Sequence, residues 1–239
     1  MGFWICFGFF GFGFEVLALN GEQIISRVDQ NMTFNSSKST AEMIIHVGDQ
    51  VRTKKMESYA QGRDKSFSEF TYPARDKGVK YLKLEDNMWM YLPSVDKTIK
   101  IAGHMLRQSM MGSDFSYEDA LESANLLDKY TVKVLADDGN NYVLELTAKV
   151  KEVTYYQRKI WVDKDKFVPV KEELFAKSGK KLKVMELSEI KKFGSRYYPT
   201  KITLRNLLRK DSKTEMVITS IKFDLVLPSS IFTQGNLTK

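Results

Sequence analysis

The chain has 239 residues and a formal net charge of +7, and it contains one cysteine, Cys6, and two histidines, His46 and His104. A single cysteine excludes a disulfide framework within the chain, and two histidines without a second thiol argue against a zinc site. The chain is long enough to bury a sizeable core, and its scattered basic residues form no block of the kind that binds nucleic acid.

The first 18 residues are predicted to be an export signal. The apolar run Phe3–Phe14 has the length of a secretory core segment and is too short to span a bilayer. Val16, Leu17 and Ala18 offer a cleavage site, although Glu15 and the lack of a basic start depart from the usual pattern. We therefore expect residues 1–18 to be cleaved. Residues 19–239 are expected to form one domain, because no linker-like stretch divides them.

An amphipathic helix is predicted directly after the leader, from Gly21 to about Asn31. Asn20 is a suitable N-cap, and Gln23 completes a capping box. The apolar side chains recur at helical spacing and form one stripe, which needs a surface to pack on. They are Ile24, Ile25, Val28 and Met32.

From Thr40 onward the hydrophobic pattern has a period of two, which is typical of strands with one buried and one wetter face. About eleven strands, joined mostly as sequential neighbours, predict an antiparallel meander that curls into a barrel or half barrel. The clearest alternation lies in Lys129–Leu135, Tyr142–Thr147 and Lys201–Leu208. The turn signals between strands are Asp86-Asn87, residues 137–140, residues 163–166, Ser178-Gly179, Gly194-Ser195 and Asp211-Ser212.

Residues 103–128 lack this alternation but are rich in Met, Leu and aromatic residues. Ser116 and Asp119 form a candidate capping box for a helix from Tyr117 to about Leu127, and a last turn is predicted near Pro228. An apolar segment without strands in a β protein normally covers or lines something. We therefore predict a lid over a cavity in the curled sheet.

Large, soft apolar side chains are concentrated between Phe70 and Asp119. Met and aromatic residues can repack around ligands of different shape, and the alternative is that they fill an ordinary core. Both faces of Met88–Leu92 are apolar, so the sequence leaves open which face is turned to the cavity. The predicted ligand-binding residues are Phe70, Tyr72, Trp89, Tyr91, Met110, Met111, Phe115 and Tyr117.

One local set of residues is compatible with a hydrolase, namely Ser109 or Ser113 with His104 and Asp114. A G-x-S-x-G elbow is absent from the sequence, and a meander provides no strand–turn–helix that would hold such a serine. The acidic residues are better interpreted as cap and turn groups. No catalytic residue, metal or cofactor is predicted.

Several motifs resemble the LolA-like outer-membrane lipoprotein-sorting family. The resemblance covers about residues 20–237 and is most specific in the block Gly112–Asp119. Lys100 and Met110 stand where the family pattern favours arginine and an aromatic residue. The matching motifs are P-x-R-x-K-G (73–78), M-W-M-Y-L-P (88–93), S-M-M-G-S-D-F-S-Y-E-D (109–119), W-V-D-K-D (161–165) with Pro169, Y-P-T-K-I (198–202) and Lys213-Thr214.

The resemblance implies a mainly β fold in which a curved antiparallel sheet forms an incomplete barrel and short helices cover a hydrophobic cavity, as in LolA and LolB. It also implies a non-catalytic periplasmic carrier that binds the acyl chains of lipoproteins or phospholipid and takes part in their transport to the outer membrane. The implied partners are an RND-type exporter, an outer-membrane acceptor and, transiently, the membrane surface, but not nucleic acid. The alternatives are a scaffold component of an envelope transport machine and, less favoured, a lipid hydrolase.

Overall fold

The computed structural model describes residues 19–121 and 126–239. The predicted leader, residues 1–18, lies outside the described residues. Within the described parts of the chain, no helix is both long and apolar enough to cross a membrane.

Thirteen antiparallel strands dominate the described residues and belong to one sheet. The expected number was about eleven. Short turns at Gly48-Asp49 and Gly62–Asp64 separate strands that the hydrophobic pattern does not distinguish. The strands are Ser36–Val47 (β1), Gln50–Gln61 (β2), Lys65–Tyr72 (β3), Lys80–Leu84 (β4), Asn87–Leu92 (β5), Lys97–Ile101 (β6), Tyr130–Asp137 (β7), Asn141–Ala148 (β8), Gln157–Asp163 (β9), Pro169–Phe175 (β10), Lys181–Phe193 (β11), Arg196–Asn206 (β12) and Ser212–Phe223 (β13).

The sheet is a meander with one non-local join. Its order is β6-β5-β4-β3-β2-β1-β13-β12-β11-β10-β9-β8-β7, so the first and last strands pair in the middle. The sequential strands β6 and β7 consequently lie at opposite edges. The open, curved sheet agrees with the predicted incomplete barrel. Residues 102–129 connect the two edges.

The helix Gly21–Met32 (α1) covers strands β7–β9. Its predicted capping box is present, since Asn20 Oδ1 accepts from the Gln23 N–H at 2.9 Å and the Gln23 side chain accepts from the Asn20 N–H at 2.9 Å. The stripe packs against Leu144, Leu146 and Ile160. A Cβ atom at Gly21 would lie 2.7 Å from Val132 Cγ1, so the start of α1 sits directly on β7.

A second cover, residues 103–121, lies over the same face of the sheet at strands β1–β6. We call this segment the Met-rich cover and the face that it shares with α1 the inner face. The cover contains the short helix Tyr117–Leu121 (α2); helix resumes at Leu126–Lys129 (α3), with residues 122–125 outside the described residues. The predicted cap of α2 is present, because Asp119 Oδ2 accepts from the Ser116 N–H at 2.7 Å.

The outer face of β3–β5 is covered by the C-terminal segment, residues 227–237. Its side chains Phe232 and Leu237 pack against Phe67 and Leu82. The predicted turn near Pro228 is present as a short 3₁₀ helix, Ser229–Phe232. Helix α1 and the C-terminal segment thus cover opposite faces of the sheet.

Candidate functional site

The two covers of the inner face leave a cavity of about 440 Å³ between them. This volume lies within the range of small-molecule sites in proteins, roughly 300–1,000 Å³. The lining includes residues from α1, α2 and α3 and from strands on both halves of the sheet. It reaches the β2–β3 turn at Arg63 and Lys65, where Lys65 is exposed.

Much of the cavity wall is apolar. The strand residues in it alternate along the chain and share the inner face, because β10, β11 and β12 pair in register there; Met185, for example, lies opposite Glu172 and Leu204. The apolar lining residues are Val28, Met32, Phe34, Ala60, Ala120, Leu126, Pro169, Leu174, Met185, Leu187 and Ile202.

Several charged side chains in and beside the cavity form ion pairs. Lys183 Nζ lies 2.5 Å from Asp119 Oδ2, and Tyr155 Oη donates to Asp119 Oδ1 at 2.5 Å. Arg158 lies 3.4 Å from Glu172 Oε2 and stacks over the Tyr155 ring. A charge removed from water is tolerated only when it is paired and hydrogen-bonded, and these contacts provide both. They also join α2 of the cover to β9–β11.

Lys83 and Asp29 are two further ionisable groups in the lining whose charged forms are disfavoured by burial. Burial lowers the pKa of Lys83 to about 8, although its ammonium donates to the carbonyls of Arg63 at 3.0 Å and Leu121 at 2.9 Å. Burial likewise raises the pKa of Asp29, against the opposing effect of the Arg63 guanidinium 3.1 Å away. The cavity wall thus combines apolar side chains of α1 and β10–β12 with charged groups on α1, α2, β4, β9 and β10.

The Met-rich cover is fastened to the β12–β13 end of the sheet by Asp114. Its buried carboxylate accepts from Thr214 Oγ1 at 2.7 Å and from Ser212 Oγ at 2.6 Å. The backbone N–H of Asp114 donates to Thr214 Oγ1 at 2.9 Å. Arg209 donates to the carbonyl of Gly112 at 3.3 Å. The sequence interpretation of Asp114 as a local cap or turn group is therefore incomplete, since its partners are about 100 residues away in the chain.

The predicted binding residues do not form one site. Phe70, Met110 and Tyr117 are buried together between the sheet and the cover, and Met111 and Phe115 pack at their margin. Tyr72, also predicted, is 51% exposed at the end of β3.

Trp89 and Tyr91 lie on the outer face beside the C-terminal segment, whereas Met88 and Met90 are on the inner face. This arrangement answers the question that the sequence left open for Met88–Leu92. None of the eight predicted residues belongs to the lining of the 440 Å³ cavity. Their part in ligand binding remains a prediction. The α1 stripe and the alternation in β12 pointed to some of the cavity residues, but nothing in the sequence indicated that they form one cluster.

Of the residues considered for hydrolysis, Ser113 and Asp114 have other partners, and Ser109 is exposed. Ser113 Oγ donates to the Met110 carbonyl at 2.7 Å, Asp114 binds Thr214 and Ser212, and His104 is exposed. Within residues 19–121 and 126–239, no group of three or more metal-ligating side chains is found.

Comparison with known proteins extends this picture. A family model described as "Uncharacterized protein" matches residues 62–239, about three quarters of the chain. A DUF1329 family protein from Desulfovibrio piger is 28% identical, with a TM-score of 0.83 over 91% of this chain and 97% of that chain. A comparison with curated proteins finds no match.

Two other solved structures carry the name that the sequence motifs suggested. An outer membrane lipoprotein-sorting protein domain from Vibrio parahaemolyticus is 24% identical, with a TM-score of 0.81 over 92% of this chain and 98% of that chain. A LolA superfamily protein from Nitrosomonas europaea is 24% identical, with a TM-score of 0.76 over 92% of this chain and all of that chain. The chain shares its fold with these two solved structures, and it belongs to the family whose model matches residues 62–239.

Proposed function

We propose that this protein is a carrier of acyl chains, either of lipoproteins or of lipids, and that the cavity between α1 and the Met-rich cover holds them. The observation that carries the proposal is the 440 Å³ cavity itself, with its wall of aliphatic side chains along β10–β12. A solidly packed interior would have left no room for a hydrocarbon tail.

The energetics favour such a ligand. Burying a methylene group yields about 0.8 kcal/mol, so a sixteen-carbon chain gains roughly 12 kcal/mol before ordering costs are subtracted. That is enough to hold a lipid in water without a polar recognition group. Release then requires an acceptor that binds the chain more strongly.

The same proposal covers the setting in which the carrier works. We place it in the periplasm, after removal of residues 1–18, between a donor at the inner membrane, such as an RND-type exporter, and an outer-membrane acceptor. The LolA superfamily fold supports a carrier, and we assign no catalytic step. The Met-rich cover is the proposed second part of the site: lifting it would expose Phe70, Met110 and Tyr117 to the ligand.

Mass spectrometry of lipids that co-purify with the protein from a membrane-containing host tests the proposal directly. Binding of a labelled long-chain fatty acid by two variants then locates the site. Met185→Glu places an unpaired charge in the cavity wall and should abolish binding. Met111→Glu changes a residue at the margin of the cover, outside that wall.

Each outcome has a distinct meaning, provided that circular dichroism shows both variants folded. Loss of binding in Met185→Glu with smaller loss in Met111→Glu supports the cavity beside α1. Loss of binding in Met111→Glu alone would indicate that the ligand lies beneath the Met-rich cover. No co-purified lipid and no fatty-acid binding would overturn the carrier proposal and favour the scaffold alternative.

A further inference from the structure

The connections at the two ends of the sheet differ in charge. Six connections lie at one end, which we call the basic end; they contain eight Lys or Arg and five Asp or Glu residues. The five connections between strands at the other end contain three basic and five acidic residues. The connections of the basic end are residues 48–49, 73–79, 93–96, 149–156, 176–180 and 207–211.

One residue of each sign at the basic end is offset by a buried partner. Asp76 is bonded to the buried Lys54, and Arg209 lies 3.8 Å from the buried Asp114. The lysines Lys177, Lys180 and Lys210, by contrast, are all exposed. The basic end therefore presents positive charge to solvent.

The same end carries most of the exposed apolar side chains. Among the described residues, ten large hydrophobic side chains are exposed, and seven of them lie in or beside the connections of the basic end. Leu208 is 58% exposed and Val51 58%. Their two turns are neighbours, since the Gly48 N–H donates to the Asp211 carbonyl at 2.8 Å. The other five are Tyr72, Val95, Val150, Tyr156 and Leu207.

Apolar and basic residues alternate closely within these turns. Val150 stands between Lys149 and Lys151, and Leu207-Leu208 precedes Arg209-Lys210. The apolar side chains stand singly or in pairs on separate turns, whereas protein–protein sites more often present a contiguous apolar patch. Single aliphatic side chains that enter the headgroup region, surrounded by lysine and arginine, are the combination that binds an anionic lipid surface.

We propose that the basic end is a docking surface for an anionic phospholipid bilayer. Insertion of Leu207 and Leu208 and attraction of the neighbouring basic residues to the headgroups would act together. The exposed residues of this surface do not line the cavity, although the buried Tyr155 of the 149–156 connection does. The inference goes beyond acyl-chain carriage because it requires no ligand in the cavity.

Sedimentation with vesicles tests this surface. The full chain from Leu19 onward is mixed with vesicles of pure phosphatidylcholine, or of phosphatidylcholine with one quarter phosphatidylglycerol. We expect binding to the anionic vesicles that weakens in high salt. Lys177→Glu/Lys180→Glu should weaken it by at least about twenty-five-fold, since each basic residue near the surface contributes about fivefold. Leu207→Ser/Leu208→Ser should weaken it by about tenfold, because two apolar side chains no longer enter the headgroup region.

Matched controls come from the other end of the sheet. Val134→Ser/Leu135→Ser changes two side chains that are each 40% exposed, and Lys191→Glu/Lys192→Glu reverses two exposed charges. Both should bind within about twofold of the unchanged protein.

The cavity variant Met185→Glu should also dock normally, which separates failure of docking from failure of carriage. Equal binding to neutral and anionic vesicles, absence of binding, or equal losses in control and test variants would overturn the proposal.

Discussion

Thr214 joins the Met-rich cover to the sheet through two hydrogen bonds, and its replacement by valine tests whether these bonds hold the cover in place. The hydroxyl donates to Asp114 Oδ2 at 2.7 Å and accepts from the Asp114 N–H at 2.9 Å. Valine has a similar shape, so Thr214→Val removes both bonds without opening a large cavity.

The expected cost follows from the burial of these groups. Thr214 is fully buried and Asp114 is 1% exposed, so water does not readily replace the lost partner. A hydrogen bond to a charged group contributes about 1.5–3 kcal/mol, and a buried N–H left without a partner costs about 1–3 kcal/mol. Ser212 still donates to the carboxylate at 2.6 Å, which reduces the loss. We expect the free energy of unfolding to fall by about 3 kcal/mol.

Urea denaturation measures this loss, and hydrogen exchange shows whether it is local. The N–H groups of Met110 and Ser113 bond to carbonyls within the cover and should exchange faster in Thr214→Val. The matched control is Thr200→Val, because Thr200 is also buried but donates to the Glu189 carbonyl within the sheet at 2.8 Å. The control should lose about 1 kcal/mol and leave exchange in the cover unchanged. A loss below about 1 kcal/mol in Thr214→Val, or equal exchange in both variants, would refute the assignment of Thr214 as an anchor.

Three further changes test other parts of the structure by urea denaturation. Lys183→Met leaves Asp119 buried without its cation and should cost about 3–5 kcal/mol, whereas Lys183→Met/Asp119→Leu should cost less than the sum of its single changes. The pKa of Lys83 is lowered to about 8, so above that pH the folded state binds fewer protons than the unfolded state. The free energy of unfolding, measured relative to Lys83→Met, should therefore rise by about 2 kcal/mol between pH 8 and 10. A difference that does not change with pH would contradict this. Phe232→Ala should cost about 3–5 kcal/mol, and an unchanged midpoint would show that the C-terminal segment does not stabilise the sheet.

The local elements of this fold could be predicted because their causes are local. The capping boxes at Asn20 and Ser116 involve residues three positions apart, and each turn signal between strands falls at or beside an observed connection. Leu208 shows where this reasoning ends. Its period-two spacing placed it in a strand, but β12 ends at Asn206 and Leu208 is exposed in the following turn.

The candidate site was harder to predict because burial on either face of a strand gives the same sequence pattern. Trp89 and Tyr91 were expected at the cavity, yet they lie on the outer face, where the C-terminal segment packs beside them. Conversely, no unusual local pattern marks Met185 and Leu187 in the sequence. They line the cavity because α1 and the Met-rich cover leave that part of the inner face uncovered.

The sequence by itself determined that this protein is a β meander with an amphipathic first helix and an apolar connection between two groups of strands. Only the tertiary structure decided that β1 pairs with β13, that β6 and β7 are left at opposite edges, and that the connection crosses the inner face between them. Hydrophobic spacing specifies how a segment folds, but not which of several apolar surfaces it will cover. That choice depends on contacts such as Asp114–Thr214 between residues 100 positions apart, which no local pattern contains.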